Sequence, residues 1–213
     1  MKKKIKAILF DVDGALIKSD AALYHLFLVG LIKFGYKKKK RDKIMKYMGS
    51  TTQLWIKKLE PTISRDKLLK MRDWIVKKYA KYYMRKFSKP IKYSTEVLKE
   101  LRKRGYKLAI VTNQKRIATD TAMKIIKFND FDVIVNYDGK KIKKGKPSAI
   151  PIKHALKKLK IKPSEAIFIG DTYSDLLAGK RAKVKTYLLK HRYNEIIDAD
   201  KINSLKDILK LVE

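Results

Sequence analysis

The run Lys4 to Phe10, Lys-Ile-Lys-Ala-Ile-Leu-Phe, is short and apolar and stops at Asp11-Val12-Asp13-Gly14. That pattern predicts a buried strand ending in a turn. From about Ser19 to Phe87 the apolar positions recur at helical spacing, as in Leu68, Met71, Ile75 and Tyr79, with Lys and Arg between them. Gly30, Gly35, Gly49 and Pro61 divide this stretch into several helices, and no strand pattern interrupts it. After Pro90 the rhythm changes. Ser94 is placed to cap a helix that runs to Arg104 and stops at Gly105. Lys107 to Thr112 predicts the next buried strand, Ile117 to Lys127 a helix, and Asp132 to Val135 a strand. Pro147 and Pro151 fit the first turn of a helix carrying Ile152, Ala155, Leu156 and Leu159. Ala166 to Gly170 is a strand, Ser174 to Ala182 a helix, and Val184 to Leu188 the last clear strand. Ser204-Leu-Lys-Asp207 has the form of a capping box that opens a final helix.

Short buried strands alternating with helices define an α/β fold, a Rossmann-like parallel sheet with helices on both faces. The long helical stretch interrupts it as an inserted all-helical unit. The expected organisation is a core of residues 1–17 and 88–213 with a helical insertion at 18–87.

At 213 residues the chain has room for one domain, or for a core with a modest insertion. Lys and Arg number 54 against 21 Asp and Glu, a net charge of +33. The excess is spread out. Residues 18–90 hold 21 basic and five acidic side chains, and residues 91–213 hold 29 and 14. Lys37 to Arg41 is the one dense run. Charge so distributed gives solubility and steers anionic ligands, and it implies only non-specific contact with nucleic acid. There is no cysteine, which excludes disulfides and thiolate metal sites. Three histidines are too few for a multi-histidine metal cluster. His25, His154 and His191 lack acidic neighbours at useful spacing, and His154, beside Ala155 and Leu156 on a helix, is expected to be structural. No apolar run reaches the ~18 residues of a membrane span. The basic start Met1-Lys-Lys-Lys is followed by only Ala7 to Phe10 before Asp11, too short for a signal core. A cytoplasmic protein without membrane partners is expected.

Open parallel sheets bind ligands at the carboxyl ends of their strands. Here those ends carry Asp11 and Asp13, then Thr112 and Asn113, and then Asp171 and Asp175, with Lys146 ahead of a helix. Taken singly, each is ordinary. Asp-x-Asp-Gly also fits a plain turn, Thr-Asn a helix cap, and Gly-Asp-x-x-x-Asp an acidic first helical turn. Brought together, four carboxylates repel one another and raise each other's pKa. A divalent cation removes that conflict, and oxygen ligands with a phosphate suit magnesium. A phosphoryl group then fits between cation, ammonium, hydroxyl and backbone N–H groups, where one carboxylate attacks in line and a second serves the leaving group.

These segments resemble the haloacid dehalogenase superfamily, in its phosphoglycolate-phosphatase-like branch. The resemblance rests on Ala7-Ile-Leu-Phe-Asp-Val-Asp-Gly-Ala-Leu16, Ala109-Ile-Val-Thr-Asn113, Lys144-Gly-Lys-Pro147 and Ile167-Phe-Ile-Gly-Asp-Thr-Tyr-Ser-Asp175, and it covers nearly the whole chain. It implies Asp11 as nucleophile, forming an aspartyl-phosphate, and Asp13 as acid for the leaving oxygen and then base for water. It implies Thr112, Asn113 and Lys146 as substrate ligands. A Mg2+ site is implied at Asp11, the carbonyl of Asp13 and Asp171, supported by Asp175. The helical insertion matches the family's mobile cap. Met48 to Thr52 resembles the cap loop that descends toward the site, though a plain connection between helices fits it equally. Trp55 and Trp74 are expected in the core of the cap. Two departures stand out. Ala15 replaces a frequent Thr, and Tyr93-Ser94 replaces a frequent Pro-Gly.

The resemblance implies a phosphomonoesterase acting on a small acidic phosphometabolite such as 2-phosphoglycolate. Two alternatives stay open: a sugar-phosphate phosphomutase of the same fold, and a nucleic-acid-binding protein that uses the fold as a scaffold. A true dehalogenase is disfavoured, because halide leaves without protonation and such an enzyme needs neither Asp13 nor a metal.

Overall fold

The structure is a computed structural model that describes residues 4–213. The basic start at Met1 to Lys3 lies outside the described residues. Six strands form one parallel sheet in the order β5-β4-β1-β6-β7-β8. They are β1 (Ala7–Phe10), β4 (Lys107–Thr112), β5 (Val133–Asn136), β6 (Ala166–Gly170), β7 (Lys185–Leu189) and the two-residue β8 (Lys201–Ile202). Strand β1 lies in the middle, with Phe10 opposite both Ile110 of β4 and Ile169 of β6. The three strands end within two residues of that level, so Asp11, Thr112 and Asp171 emerge at one edge.

Side chains alternate across the sheet, as period-two geometry requires. Ile8, Phe10, Leu108, Ile110, Ile167 and Ile169 face one hydrophobic cluster, and Ala7, Leu9, Ala109, Val111, Ala166 and Phe168 face the other. Helices α6 (Ser94–Lys103), α7 (Arg116–Ile126) and α10 (Asp207–Leu211) cover the first face, and α8 (Ile150–Leu159) and α9 (Tyr173–Ala182) the second. The expected α/β architecture is the observed one.

Between β1 and β4 the chain is helical, as its spacing predicts. It forms α1 (Asp20–Lys33), α2 (Arg41–Met45), α3 (Thr52–Leu59) and α4 (Arg65–Lys78), a π-helical turn at Tyr79–Tyr83, and α5 (Met84–Phe87). Trp55 is buried there, stacked on Phe27 at 4.1 Å with its indole N–H donated to the Ile44 carbonyl. Trp74 is half-buried beside Phe34. The segment leaves and rejoins the sheet through an antiparallel pair, β2 (Ile17–Lys18) and β3 (Lys89–Pro90), which the sequence pattern does not show. A two-residue ladder has no periodicity to read. No helix among the described residues is long and apolar enough to cross a membrane.

Three local expectations need correction. Ser94 does not cap α6. The cap position is Tyr93, in the left-handed conformation at φ +69°, and the Ser94 hydroxyl is buried without a hydrogen-bond partner. Pro147 precedes α8 and lies outside its first turn, whereas Pro151 does occupy that turn. The box at Ser204 is half formed. Asp207 accepts from the Ser204 N–H, but the Ser204 hydroxyl accepts from Lys206 and the helix starts at Asp207.

Candidate active site

Asp11 leaves β1 with its N–H donated to the Ile169 carbonyl of β6, which continues the ladder one residue past the strand. Gly14 then turns the chain at φ +78°, and a Cβ there would lie 1.8 Å from Asp171 Oδ2. Glycine is therefore required twice, by the turn and by the close approach of the backbone to the carboxylate. The loop after β6 carries Asp171, and α9 opens with Asp175 in its first turn. Asp175 Oδ2 accepts from the Thr172 N–H and hydroxyl and from the Asp171 N–H. This fixes its rotamer and satisfies donors that a helix start otherwise leaves unpaired.

Asp11, Asp171 and Asp175 offer carboxylate oxygens within 4.8 Å of one another, and all three side chains are buried. Lys146, itself buried, lies between two of them, with Nζ 2.7 Å from Asp11 Oδ1 and 2.5 Å from Asp175 Oδ1. Burial pushes the Asp11 carboxyl up to about 8, against the Lys146 charge, and Asp175 and Asp171 add to the rise. Burial also raises Asp171, to about 6, opposed by a contact with His191. Burial works against the Lys146 ammonium, but Asp11 and Asp175 outweigh it and hold the amine above its usual range.

The cluster fits a divalent cation. Three carboxylates and one ammonium leave two negative charges when all are ionised. Asp171 Oδ1 is buried with no partner, an expense that buried polar atoms rarely carry. Oxygen-only donors select hard cations.

Every residue expected at the site borders one cavity of about 470 Å³ or its carboxylate floor. Asp11, Asp13, Thr112, Asn113 and Lys146 line the cavity. Asp171 and Asp175 lie beneath. The side chain of Asp13 does not join the carboxylate cluster. Its oxygens turn to the phenol of Tyr79, at 2.5 Å, and to the amide of Gln114, at 2.6 Å. Only its carbonyl is left to serve a metal. Asn113 is spent on backbone. Its Oδ1 accepts from the Lys146 N–H, and its Nδ2 donates to the carbonyls of Lys146 and Gly49.

The Gly49 contact decides between the two readings of the Met48–Thr52 loop. These five residues line the cavity, and Thr51 also caps α3. Gly49 has φ +84°, and a Cβ on it would lie 2.5 Å from Thr172 Oγ1. Gly49→Ala is therefore expected to lift the loop from Thr172 and to lower stability by about 1–3 kcal/mol. Denaturant unfolding measures this, and an unchanged midpoint would mean that the loop does not rest there in solution.

Sequence reasoning missed four residues. Tyr79 reads as one more apolar position in a helical stripe. Gln114 follows Thr112-Asn113 without a motif of its own. His191 has no acidic neighbour at useful spacing in the sequence, yet its Nε2 lies 3.1 Å from Asp171 Oδ2. The pairing of β6 with β7 supplies that neighbour, and no local spacing reveals it. The Tyr193 N–H donates to His191 Nδ1, which leaves the proton of a neutral ring on Nε2, facing Asp171. Asn194 donates to the Asp171 carbonyl and completes the support.

A parallel α/β sheet with a carboxylate cluster, a buried lysine and a threonine at its carboxyl edge is the arrangement of a phosphoryl-transfer enzyme. The chain belongs to the haloacid dehalogenase-like hydrolase family, whose model matches residues 8–189. It is 29% identical over 223 residues to pyrophosphatase PpaX of Bacillus thuringiensis, a match covering 98% of this chain and 97% of that protein. A haloacid dehalogenase-like hydrolase structure from Bacteroides fragilis superposes with a TM-score of 0.86 at 24% identity, over 96% of this chain and 100% of that one. A predicted phosphoglycolate phosphatase from Haemophilus somnus gives 0.81 at 19%, over 98% of each chain. CbbY from Rhodobacter sphaeroides, solved with phosphate, gives 0.82 at 19%, over 96% of each.

Proposed function

We propose that this hydrolase is a magnesium-dependent phosphomonoesterase that works through an aspartyl-phosphate on Asp11. The observation that carries the reading is the buried cluster of Asp11, Asp171 and Asp175 bridged by Lys146 on the cavity floor. Residues 1–17 and 88–213 are the catalytic core, and residues 18–87 are its cap.

Asp11, Asp171 and the Asp13 carbonyl would hold the cation, with Asp175 behind them. When bound, it offsets the clustered negative charge and polarises the phosphoryl oxygens. Asp11 supplies the attacking oxygen. Lys146 and Thr112 hold the phosphoryl oxygens, with Asn113 anchoring the Lys146 backbone. Asp13 gives a proton to the departing oxygen and later takes one from water. Cap and core residues enclose the group and limit access of water.

The substrate proposed is a small acidic phosphometabolite such as 2-phosphoglycolate. Besides Lys146, the cavity is lined by Lys115 from the core and by Arg72 from the cap, the latter paired with Asp73, and these cations favour a second anionic group on the substrate. Lys115 is half-buried with Nζ over the Tyr137 ring, and burial holds its amine below the usual range. The relatives named pyrophosphatase make inorganic pyrophosphate a second candidate. A nucleic-acid role finds less support. In the dense basic run, Lys39 pairs with Glu60, and Arg41 pairs with Asp20 and bonds Tyr193.

The test is a panel of phosphoesters and pyrophosphate, assayed with magnesium and with EDTA. Turnover of a small dianionic ester is expected, abolished by EDTA and restored by magnesium, with calcium a poor substitute because its coordination is longer and looser. Full activity in EDTA, after metal analysis, would sink the proposed site. Transfer of the phosphoryl group to a sugar phosphate would point to the phosphomutase instead.

A further inference from the structure

Both carboxylate oxygens of Asp13 are held by donors from opposite sides. The Tyr79 hydroxyl, from the helical insertion, reaches Oδ1, and the Gln114 amide, from the loop after β4, reaches Oδ2. Tyr79 and Gln114 are both nearly buried, 7% and 8% exposed, which limits how far water competes for either bond. The phenol cannot turn elsewhere as an anion, because burial first, and the Asp13 charge second, keep its proton on.

The Gln114 side is built in depth. The Asn136 amide, at the end of β5, donates to Thr119 Oγ1 at 2.6 Å. With that lone pair taken, the Thr119 hydroxyl hydrogen points to Gln114 Oε1, 3.4 Å away. Gln114 Oε1 is thereby an acceptor, and its Nε2 must be the atom that faces Asp13. Asn136 Nδ2 also reaches the Gln114 carbonyl, and the Gln114 N–H bonds Thr112 Oγ1. The donors thus run in one sense from β5 to Asp13. The Tyr79 side depends on a different element. Leu68, Met71 and Ile75 lie on the buried face of α4, and Tyr79 continues that stripe where the backbone changes to a π-helical turn. Such turns are rare and frequent at functional sites.

We propose that Tyr79 and Gln114 are positioning residues for the acid–base function of Asp13, one supplied by the helical insertion and one by the sheet. Neither touches the phosphoryl group. Together they set the plane of the Asp13 carboxylate and keep it off the Asp11–Asp171–Asp175 cluster. The inference rests on Asp13 being the acid–base, as proposed above, and the experiment separates the two claims.

Tyr79→Phe and Gln114→Met are made in the full chain, singly and in an Asp13→Asn background. Rates are measured with magnesium on an alkyl phosphate and on p-nitrophenyl phosphate, whose leaving group needs little protonation. Each single variant is expected to lose about 10–100-fold in kcat on the alkyl phosphate, part of what acid–base catalysis supplies, with KM within about threefold. On p-nitrophenyl phosphate the first turnover should stay fast while later ones slow. A burst of p-nitrophenolate then appears, because only breakdown of the phosphorylated Asp11 needs the base. In the Asp13→Asn background either substitution should change the rate by less than about twofold, since the group it positions is gone.

Equal losses in the two backgrounds would overturn the proposal in favour of a packing role, as would wild-type kcat in both single variants. If Asp13→Asn alone leaves alkyl-phosphate turnover intact, the acid–base reading itself fails and this inference with it. Thermal unfolding accompanies each variant. Gln114→Met, on the core side, carries the test if the change at Tyr79 unfolds the insertion.

Discussion

Asp11→Asn is expected to lower turnover by about 10³-fold or more, the scale on which loss of a nucleophile acts, while the protein stays folded. The attacking oxygen must carry negative charge and a free lone pair, and a carboxamide offers neither in useful form. The substitution keeps the shape of the side chain, so the ladder bond from Asp11 N–H to the Ile169 carbonyl survives. A second effect goes the other way. Burial and two neighbouring carboxylates oppose ionisation of Asp11, so a neutral amide relieves repulsion in the metal-free protein. Lys146 keeps its second partner, Asp175. The variant should therefore melt in EDTA at or above the wild-type temperature. Activity above a few per cent, with deamidation back to Asp excluded by mass spectrometry, would remove Asp11 as nucleophile. A large fall in melting temperature would show that its role is structural.

Much of this site is legible because it is built on strand ends. A buried strand announces itself by an apolar run, as in Ile8 to Phe10 or Leu108 to Val111, and the residue that ends the run is therefore located on the sheet edge. The parallel order then does the rest. With β1 between β4 and β6, Asp11, Thr112 and Asp171 have to meet. Residues that come from helices or long loops lack that anchor. Tyr79 occupies a position that helical periodicity assigns to core, and its hydroxyl is a functional addition to an apolar site. His191 becomes a neighbour of Asp171 only through β6–β7 pairing, 20 residues apart in sequence. Asn113 illustrates a subtler gap. Its place is legible at the cavity wall, but the bonds of its amide to the backbone of Lys146 and Gly49 are not.

The same distinction explains the local corrections. Turn and cap chemistry depends on one dihedral at a time, and a neighbour can supply what a propensity would assign elsewhere. Tyr93 takes the left-handed position before α6, a conformation that costs a non-glycine residue about 1–2 kcal/mol. Its ring lies under two ammonium groups, Lys206 at 4.2 Å and Lys92 at 4.8 Å. These contacts offset part of that cost and let a tyrosine stand where glycine is the simpler choice.

Lys146→Met is expected to show how strongly the floor of the site depends on positive charge. The ammonium is almost wholly buried and lies between Asp11 and Asp175. Methionine approximates the length and packing of the lysine stem but carries no charge. Without it, Asp11 and Asp175 lose their counter-charge, and the buried cluster must either bear that repulsion or take up protons. Removing one partner of a buried pair typically costs about 3–5 kcal/mol, because the remaining charge stays desolvated. In EDTA the variant should therefore unfold at a much lower denaturant concentration than wild type. Magnesium should return a larger share of stability to the variant than it gives the wild type, since the cation then meets a more negative cluster. Turnover should stay depressed at saturating magnesium if, as proposed, the lysine also holds a phosphoryl oxygen, since the cation does not replace that contact. Stability in EDTA equal to wild type would mean that the carboxylates are neutral and Lys146 is not their counter-charge. Equal gains from magnesium in the two proteins would place the cation away from this cluster.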